Sequence, residues 1–132
     1  MKSIPEKFHD LLADEAKTFL MLATTMDDGS PQLTPVWFST DDDHIIINSA
    51  KGRTKDRNMR ARPKVAVAIH DFNKPYRYLQ IRGSVVEIVE EGAREHINAL
   101  AKKYMDKDVY PGSAEETRVI YKIKPEKVSA MG

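Results

Sequence analysis

The sequence predicts a mainly β domain with flanking helices, its six antiparallel strands curled into a closed or nearly closed barrel. Three observations carry that expectation. Six runs rich in β-branched and apolar residues are separated by clusters of Gly, Pro, Asp and Asn. Most connections have hairpin length, which favours antiparallel neighbours over parallel crossovers. A length of 132 residues suits one domain with its own core.

The N-terminal segment reads as a helix. Ser3 and Glu6 have capping-box spacing, Pro5 fits the first turn, and Phe8, Leu11, Leu12 and Ala16 recur at helical intervals. Thr18 to Met26 is a first strand. Asp27-Asp28-Gly29-Ser30-Pro31 is turn chemistry, and Gln32 to Thr40 returns as a second strand to complete a hairpin. Pro35 has no N–H to give a ladder, which places it at an edge or a bulge. Asp41 to Asp43 turn the chain into a third strand, His44 to Ser49. Its Ile45-Ile46-Ile47 run is apolar on both faces and reads as central. Thr54 caps a short helix that runs to Arg62 and is ended by Pro63. Lys64 to Asp71 is a fourth strand, with Val65, Val67 and Ile69 on one face. Phe72 to Pro75 lead into a long fifth strand, Tyr76 to Val89, where Gly83 marks a bulge or bend. Gly92 to Met105 is an amphipathic helix with Ile97, Leu100, Ala101 and Tyr104 on one side. A loop holding Pro111-Gly112 precedes the last strand, Thr117 to Lys124, and Pro125-Glu126-Lys127 turn into a short tail. One domain spans residues 1–132, with no internal repeat.

Composition narrows the chemistry. Lys and Arg number 21 against 20 Asp and Glu, a net charge of +1, which disfavours a dedicated nucleic-acid binder. Cysteine is absent, so disulfides, thiolate metal sites and cysteine nucleophiles are excluded. No apolar run approaches the roughly 20 residues of a membrane span. The N-terminus shows no apolar signal region, and the expected location is the cytoplasm. The four histidines, His9, His44, His70 and His96, lack metal-site spacing, so no metal centre is predicted. No nucleophile elbow, P-loop or dinucleotide glycine fingerprint is present.

The uneven feature is Lys51 to Lys64, where seven cations accompany one acid, Asp56. The segment follows a strand and opens a helix, so free backbone N–H groups and a positive dipole end face the same place. Arg53 is suited to bidentate phosphate binding and Lys55 to a point charge. The bland alternative is a solvated basic face. Trp37, Phe38, Tyr76 and Tyr78 add aromatic surface. They fill the core or a dimer interface, or else flank a planar ligand beside the phosphate grip.

The order of several short pieces resembles the flavin-binding split-barrel superfamily that includes the pyridoxamine phosphate oxidases. The pieces are Leu22-Ala23-Thr24, Asp28 to Gln32, Thr34-Pro35-Val36-Trp37-Phe38, Arg53-Thr54-Lys55-Asp56-Arg57-Asn58, and Pro75-Tyr76-Arg77-Tyr78 followed by Arg82-Gly83. The Pro-Tyr-Arg-Tyr run and the short length look most like the small deazaflavin (coenzyme F420)-dependent reductases. The resemblance implies a six-stranded split barrel and a homodimer with two cofactor sites at the subunit interface. By position, Arg53 and Lys55 would hold the cofactor phosphate, and Asn48 and Ser49 the chain between phosphate and ring. Gln32, Thr34, Pro35 and Val36 would line the ring edge. Asn58 would bond the loop carrying Lys55, and Tyr76 and Tyr78 would approach from the partner subunit.

On this resemblance the protein is a reductase passing a hydride between a bound deazaflavin and a small organic substrate. The cofactor carries the hard chemistry, and no dedicated protein acid or base is needed. FMN is the alternative cofactor, and a non-catalytic flavin carrier or sensor the alternative role. The cations around Lys51, Arg57, Arg60 and Arg62 favour the deazaflavin, whose acidic tail offers them partners. Nucleic acid and membrane are not expected partners. The chain has no long C-terminal extension like that of the pyridoxamine phosphate oxidases, so pyridoxal phosphate synthesis is not expected.

Overall fold

The computed structural model describes residues 1–132. Its strands are β1 (Leu20–Thr25), β2 (Pro31–Val36), β3 (Phe38–Thr40), β4 (Ile45–Ala50), β5 (Lys64–His70), β6 (Tyr78–Val89) and β7 (Arg118–Met131). Helix α1 (Thr54–Ala61) links β4 to β5, and α2 (Ala93–Met105) follows β6. The strands form one antiparallel sheet in the order β2-β1-β5-β6-β7-β4-β3. Its two edge strands are consecutive in sequence, with only Trp37 between them. The sheet therefore curls so that its two edges share one residue, and the barrel stays split there, its edges joined by the chain and not by a ladder.

Alternation along the strands builds the core. Leu20 and Leu22, Ile45 and Ile47, Val65, Val67 and Ile69, Leu79 and Ile81, and Val119, Tyr121 and Ile123 all point inward and are buried. Phe8, Leu11 and Leu12 of the N-terminal segment join the same cluster. Proline at position 35 is accommodated because β2 is an edge, paired only with β1.

Four details of the strands and the N-terminal segment differ from the sequence expectations. The second strand is two, because its first half pairs with β1 and its second with β4, so the strands number seven instead of six. The N-terminal helix is two 3-10 turns, Glu6–Leu12 and Asp14–Ala16, with Pro5 at the cap and no side-chain capping bond. Strand β6 begins at Tyr78, because Asp71 to Arg77 close a turn through backbone bonds from Asp71 N–H to Arg77 and from Arg77 N–H to Lys74. The last strand does not turn at Pro125 but runs on to Met131. An extra residue, Glu126, slips past the ladder where Gly83 faces Pro125, so the proline sits at a bulge and gives up no ladder bond.

At that bulge Gly83 is required by close approach. A Cβ built there lies 2.2 Å from the Lys124 carbonyl oxygen and 3.3 Å from Ile123 Cγ2. Gly83→Ala is expected to cost about 1–3 kcal/mol, the usual scale for overpacking. An unchanged urea midpoint would show that the two longest strands part there without penalty.

Candidate functional site

A cleft of about 690 Å³ lies between the β2–β3 bend, the end of β4, the start of α1, α2 and the loop before β7. Its volume falls within the range of small-molecule sites, roughly 300–1,000 Å³. One side is cationic and the other aromatic.

The cationic side begins where β4 ends. Gly52 turns the chain with φ +92°, a conformation that favours glycine. Arg53 and not Thr54, the cap expected from the sequence, occupies the N-cap of α1. Thr54 is already the first helical residue, no side chain caps the helix, and the first-turn N–H groups have no side-chain partner there. Asp56 locks the turn from inside. Its carboxylate accepts from Gly52 N–H at 2.9 Å, from Arg60 Nε at 2.9 Å and from the buried Tyr121 hydroxyl. Burial alone would raise the Asp56 pKa, and these donors outweigh it and hold the carboxyl below its ordinary value.

Most of the basic run is spent within the chain. Lys51 pairs with Glu90 at 3.0 Å, Arg60 with Asp56 at 2.9 Å and Arg62 with Asp27 at 3.0 Å, while Arg57 donates to the Gly52 carbonyl. This removes the argument that those four cations await an acidic tail. Arg53 and Lys55 line the cleft. Arg53 pairs with Glu116 at 2.6 Å. Lys55 meets no acid. Burial, then the like charges of Arg53 and Arg118, lower its pKa.

Arg118, the first residue of β7, is a third cation in the cleft and is only 6% exposed. Its Nε donates to Asn48 Oδ1 at 2.9 Å, and its guanidinium lies 5.1 Å from the Tyr110 ring centre. The Asn48 amide group donates to the Ala93 carbonyl at 2.9 Å and to His96 Nδ1 at 3.1 Å. His96 Nδ1 is therefore the acceptor, and its proton sits on Nε2, facing Ser39 Oγ at 2.9 Å. Burial, with Arg118 adding to it, pushes the His96 pKa down to about 4, which keeps the imidazole neutral near pH 7. The chain Ser39, His96, Asn48, Arg118 thus fixes the guanidinium.

The aromatic side is a stack. Trp37 lies parallel to Tyr104 at 5.2 Å, Tyr104 stacks on Phe19 at 5.6 Å, and Tyr110 meets Trp37 edge-on at 6.0 Å. Tyr104 is pinned by its hydroxyl, which donates to the Thr18 carbonyl at 2.7 Å.

Of the residues singled out in the sequence, Pro35, Val36, Asn48, Ser49, Arg53 and Lys55 line this cleft. Asn48 does so with its amide already engaged. Ser49 pairs with Val119 in the ladder, which turns its side chain toward the core, where its hydroxyl is buried without a partner. Gln32, Thr34, Asn58, Tyr76 and Tyr78 lie outside it. Gln32 Oε1 accepts from Thr24 Oγ1 at 2.8 Å, and the Thr34 hydroxyl is buried without a partner. Asn58 donates to Thr24 Oγ1 and Met26 Sδ and accepts from Arg62, so it ties α1 to β1 and does not bond the loop carrying Lys55. Tyr76 is 84% exposed in the Asp71–Arg77 turn, and Tyr78 opens β6. Sequence reasoning missed Arg118, Tyr110, Phe19, Ile97 and Met105 as lining residues. Arg118 offered one weak signal, a cation near the start of a strand after a Pro-Gly loop. The others offered none.

The family model for pyridoxamine 5'-phosphate oxidase matches residues 4–132. The chain belongs to the pyridoxamine 5'-phosphate oxidase family. Within solved structures, this family member is similar to an F420 reductase, at 34% identity and a TM-score of 0.84, over 96% of this chain and 98% of the other. It is similar in fold to a conserved hypothetical protein from Mycobacterium tuberculosis, at 23% identity and a TM-score of 0.73, over 97% and 84% of the two chains. A FAD-binding protein from Mesorhizobium loti shares the fold at 24% identity and a TM-score of 0.68, over 96% and 94%. No curated protein is significantly similar to the chain. The pyridoxamine 5'-phosphate oxidase fold is a split barrel that takes flavin-type cofactors, and the pairing of cations with stacked aromatics across the cleft fits such a group. No helix of the chain is long and apolar enough to cross a membrane.

Proposed function

We propose that this pyridoxamine 5'-phosphate oxidase family member is an oxidoreductase that holds a phosphorylated deazaflavin, coenzyme F420, in the cleft and passes a hydride between it and a small organic substrate. The observation that carries the reading is the conjunction in one cleft of Arg53 and the unpaired Lys55 with the flat aromatic face of Trp37. A phosphorylated planar ring system has both chemistries. The similarity to an F420 reductase over nearly the whole of both chains favours the deazaflavin over FMN.

When bound, the deazaflavin supplies the two-electron chemistry. The chain's own residues bind and orient it. Lys55 and the first turn of α1 attract the phosphate, Arg53 offers a planar fork, and Trp37, Pro35 and Val36 bound the ring side. Neutral His96 moves no proton near pH 7. Its part is to hold Asn48 and through it Arg118. The working unit in this proposal is a homodimer, for which Leu33 (62% exposed) on β2 and Tyr76 offer apolar surface.

The test is a titration of the purified protein with coenzyme F420 and with FMN, followed by fluorescence. Saturable binding of the deazaflavin, with FMN weaker, is the expected result. Tight FMN binding without a response to the deazaflavin would reassign the cofactor, and binding of neither would remove the reading. A bound, reduced cofactor that no candidate acceptor reoxidises would make the protein a carrier. Sedimentation at the mass of one chain would contradict the dimer.

A further inference from the structure

A single carboxylate stands among the cations of the cleft. Glu116 Oε2 accepts from Arg53 Nη2 at 2.6 Å, and its Oε1 lies 3.5 Å from Arg118 Nη1. Its backbone carbonyl accepts from Arg94 Nη2 at 2.8 Å. Glu116 thus bridges a cation at the start of α1 and a cation at the start of β7, two elements that sequence keeps far apart.

Arg118 is not a surface arginine. It is 6% exposed, and of its five N–H donors the chain engages one well, through Asn48 Oδ1 at 2.9 Å. The contact to Glu116 is long. None of its spare donors is sealed from solvent without a partner, so they stay open to the cleft, where an anion would offset the partial desolvation of the charge. Burial disfavours its charged form; Tyr110 and Glu116 counter this in part, and Arg53 and Arg94 add to it, leaving the pKa below the ordinary arginine value. Asn48 and His96 nevertheless hold it in place, so the cost is maintained by a built support.

We propose that Arg53 and Arg118 form one anion cradle, which the Glu116 carboxylate fills in the free protein and which the ligand's phosphate takes over by displacing it. The cradle itself stands on the geometry alone. Only the identity of the incoming phosphate rests on the cofactor reading above. Exchange makes Glu116 a specificity residue. A carboxylate gains little by replacing another carboxylate, whereas a phosphate group presents tetrahedrally disposed oxygens that can bond both guanidinium groups and also reach the unpaired Lys55.

The test uses the full chain and inorganic phosphate, read through Trp37. That residue is the only tryptophan, lines the cleft and meets Tyr110, which in turn packs on Arg118. Glu116→Gln is expected to bind phosphate about ten-fold more tightly, and Arg118→Gln about ten-fold more weakly, the scale of one charge-assisted hydrogen bond. The opposite signs guard against misfolding, since a damaged cleft does not gain affinity. Should Arg118→Gln fail to fold, the Glu116→Gln result decides alone. Phosphate binding that is no tighter in Glu116→Gln than in wild type overturns the cradle, as does the absence of any phosphate response in both. If phosphate tightens in Glu116→Gln while neither coenzyme F420 nor FMN binds, the cradle stands and the cofactor reading falls. If coenzyme F420 binds and phosphate affinity is unchanged by the substitution, the cradle falls and the cofactor reading stands.

Discussion

If the cleft takes coenzyme F420 as proposed, a Lys55→Ala variant is expected to bind it more weakly by about 1.5–3 kcal/mol, on the order of ten- to a hundred-fold in Kd, and yet to unfold at the same or a higher temperature than wild type. The two halves of that expectation have one cause. Lys55 sits half-buried beside Arg53 and Arg118 with no acid of its own, and its pKa is lowered first by burial and then by those neighbours. A lowered folded value for a base means that the charged form costs native stability at neutral pH, and that the cost fades as pH rises through the folded pKa. Removing the side chain removes the cost. In the proposed complex the same charge meets a phosphate, and its loss is felt in full. Arg53→Ala weakens binding as well, but it also frees Glu116, so its effect mixes two contributions. Equal cofactor affinity in wild type and Lys55→Ala, measured by fluorescence titration, would remove Lys55 from the site.

Asp56→Ala acts the other way, chiefly on stability. Asp56 is 2% exposed and is the acceptor for the fully buried Tyr121 hydroxyl. Truncation strands that hydroxyl and releases Arg60 and the Gly52 N–H together, an expected loss of about 2–4 kcal/mol in unfolding free energy. The turn holding Arg53 loosens with it, so ligand affinity falls too. Asp56→Asn keeps an acceptor and recovers part of the loss. The pH dependence follows from the lowered Asp56 pKa. Its contribution is complete above the ordinary carboxylate value of 3.8 and disappears as pH falls through the lower folded value. In Asp56→Asn that acid-side contribution is absent. Chemical denaturation at neutral and acidic pH measures both effects, and a wild-type midpoint for Asp56→Ala would refute the role.

Strands were legible wherever one face is buried. Leu20 with Leu22, Val65 with Val67 and Ile69, and Val119 with Tyr121 and Ile123 alternate because the core takes every second residue. Two breaks were not legible. Thr34 to Phe38 reads as continuous strand, and only the different partners of its halves divide it at Trp37. Pro125 reads as a stop, because nothing local shows that Glu126 bulges opposite Arg82 and Gly83. The site divides in the same manner. Arg53 and Lys55 stand at a strand-to-helix junction, a local geometry visible in the chain. Arg118 and Tyr110 reach the cleft through pairings across the fold, which no spacing in a single chain records. The seven-cation run was misleading in number, since the acids that engage Lys51, Arg60 and Arg62 come from other segments or from the inner face of the same helix.

The one-residue seam at Trp37 bears on how the molecule assembles. The β1–β2 and β3–β4 pairs are hairpins between near neighbours, already tethered to each other at Trp37. The β4–β7 ladder instead joins residues about 70 positions apart, so its loop-closure entropy makes it the slow event by contact-order reasoning. Arg118 and Ala50 pair at the end of that ladder. The proposed anion cradle is thus completed with the final pairing of the chain, and if phosphate alters Trp37 emission as that proposal expects, a refolding experiment that follows it should see binding competence arrive in the slowest phase.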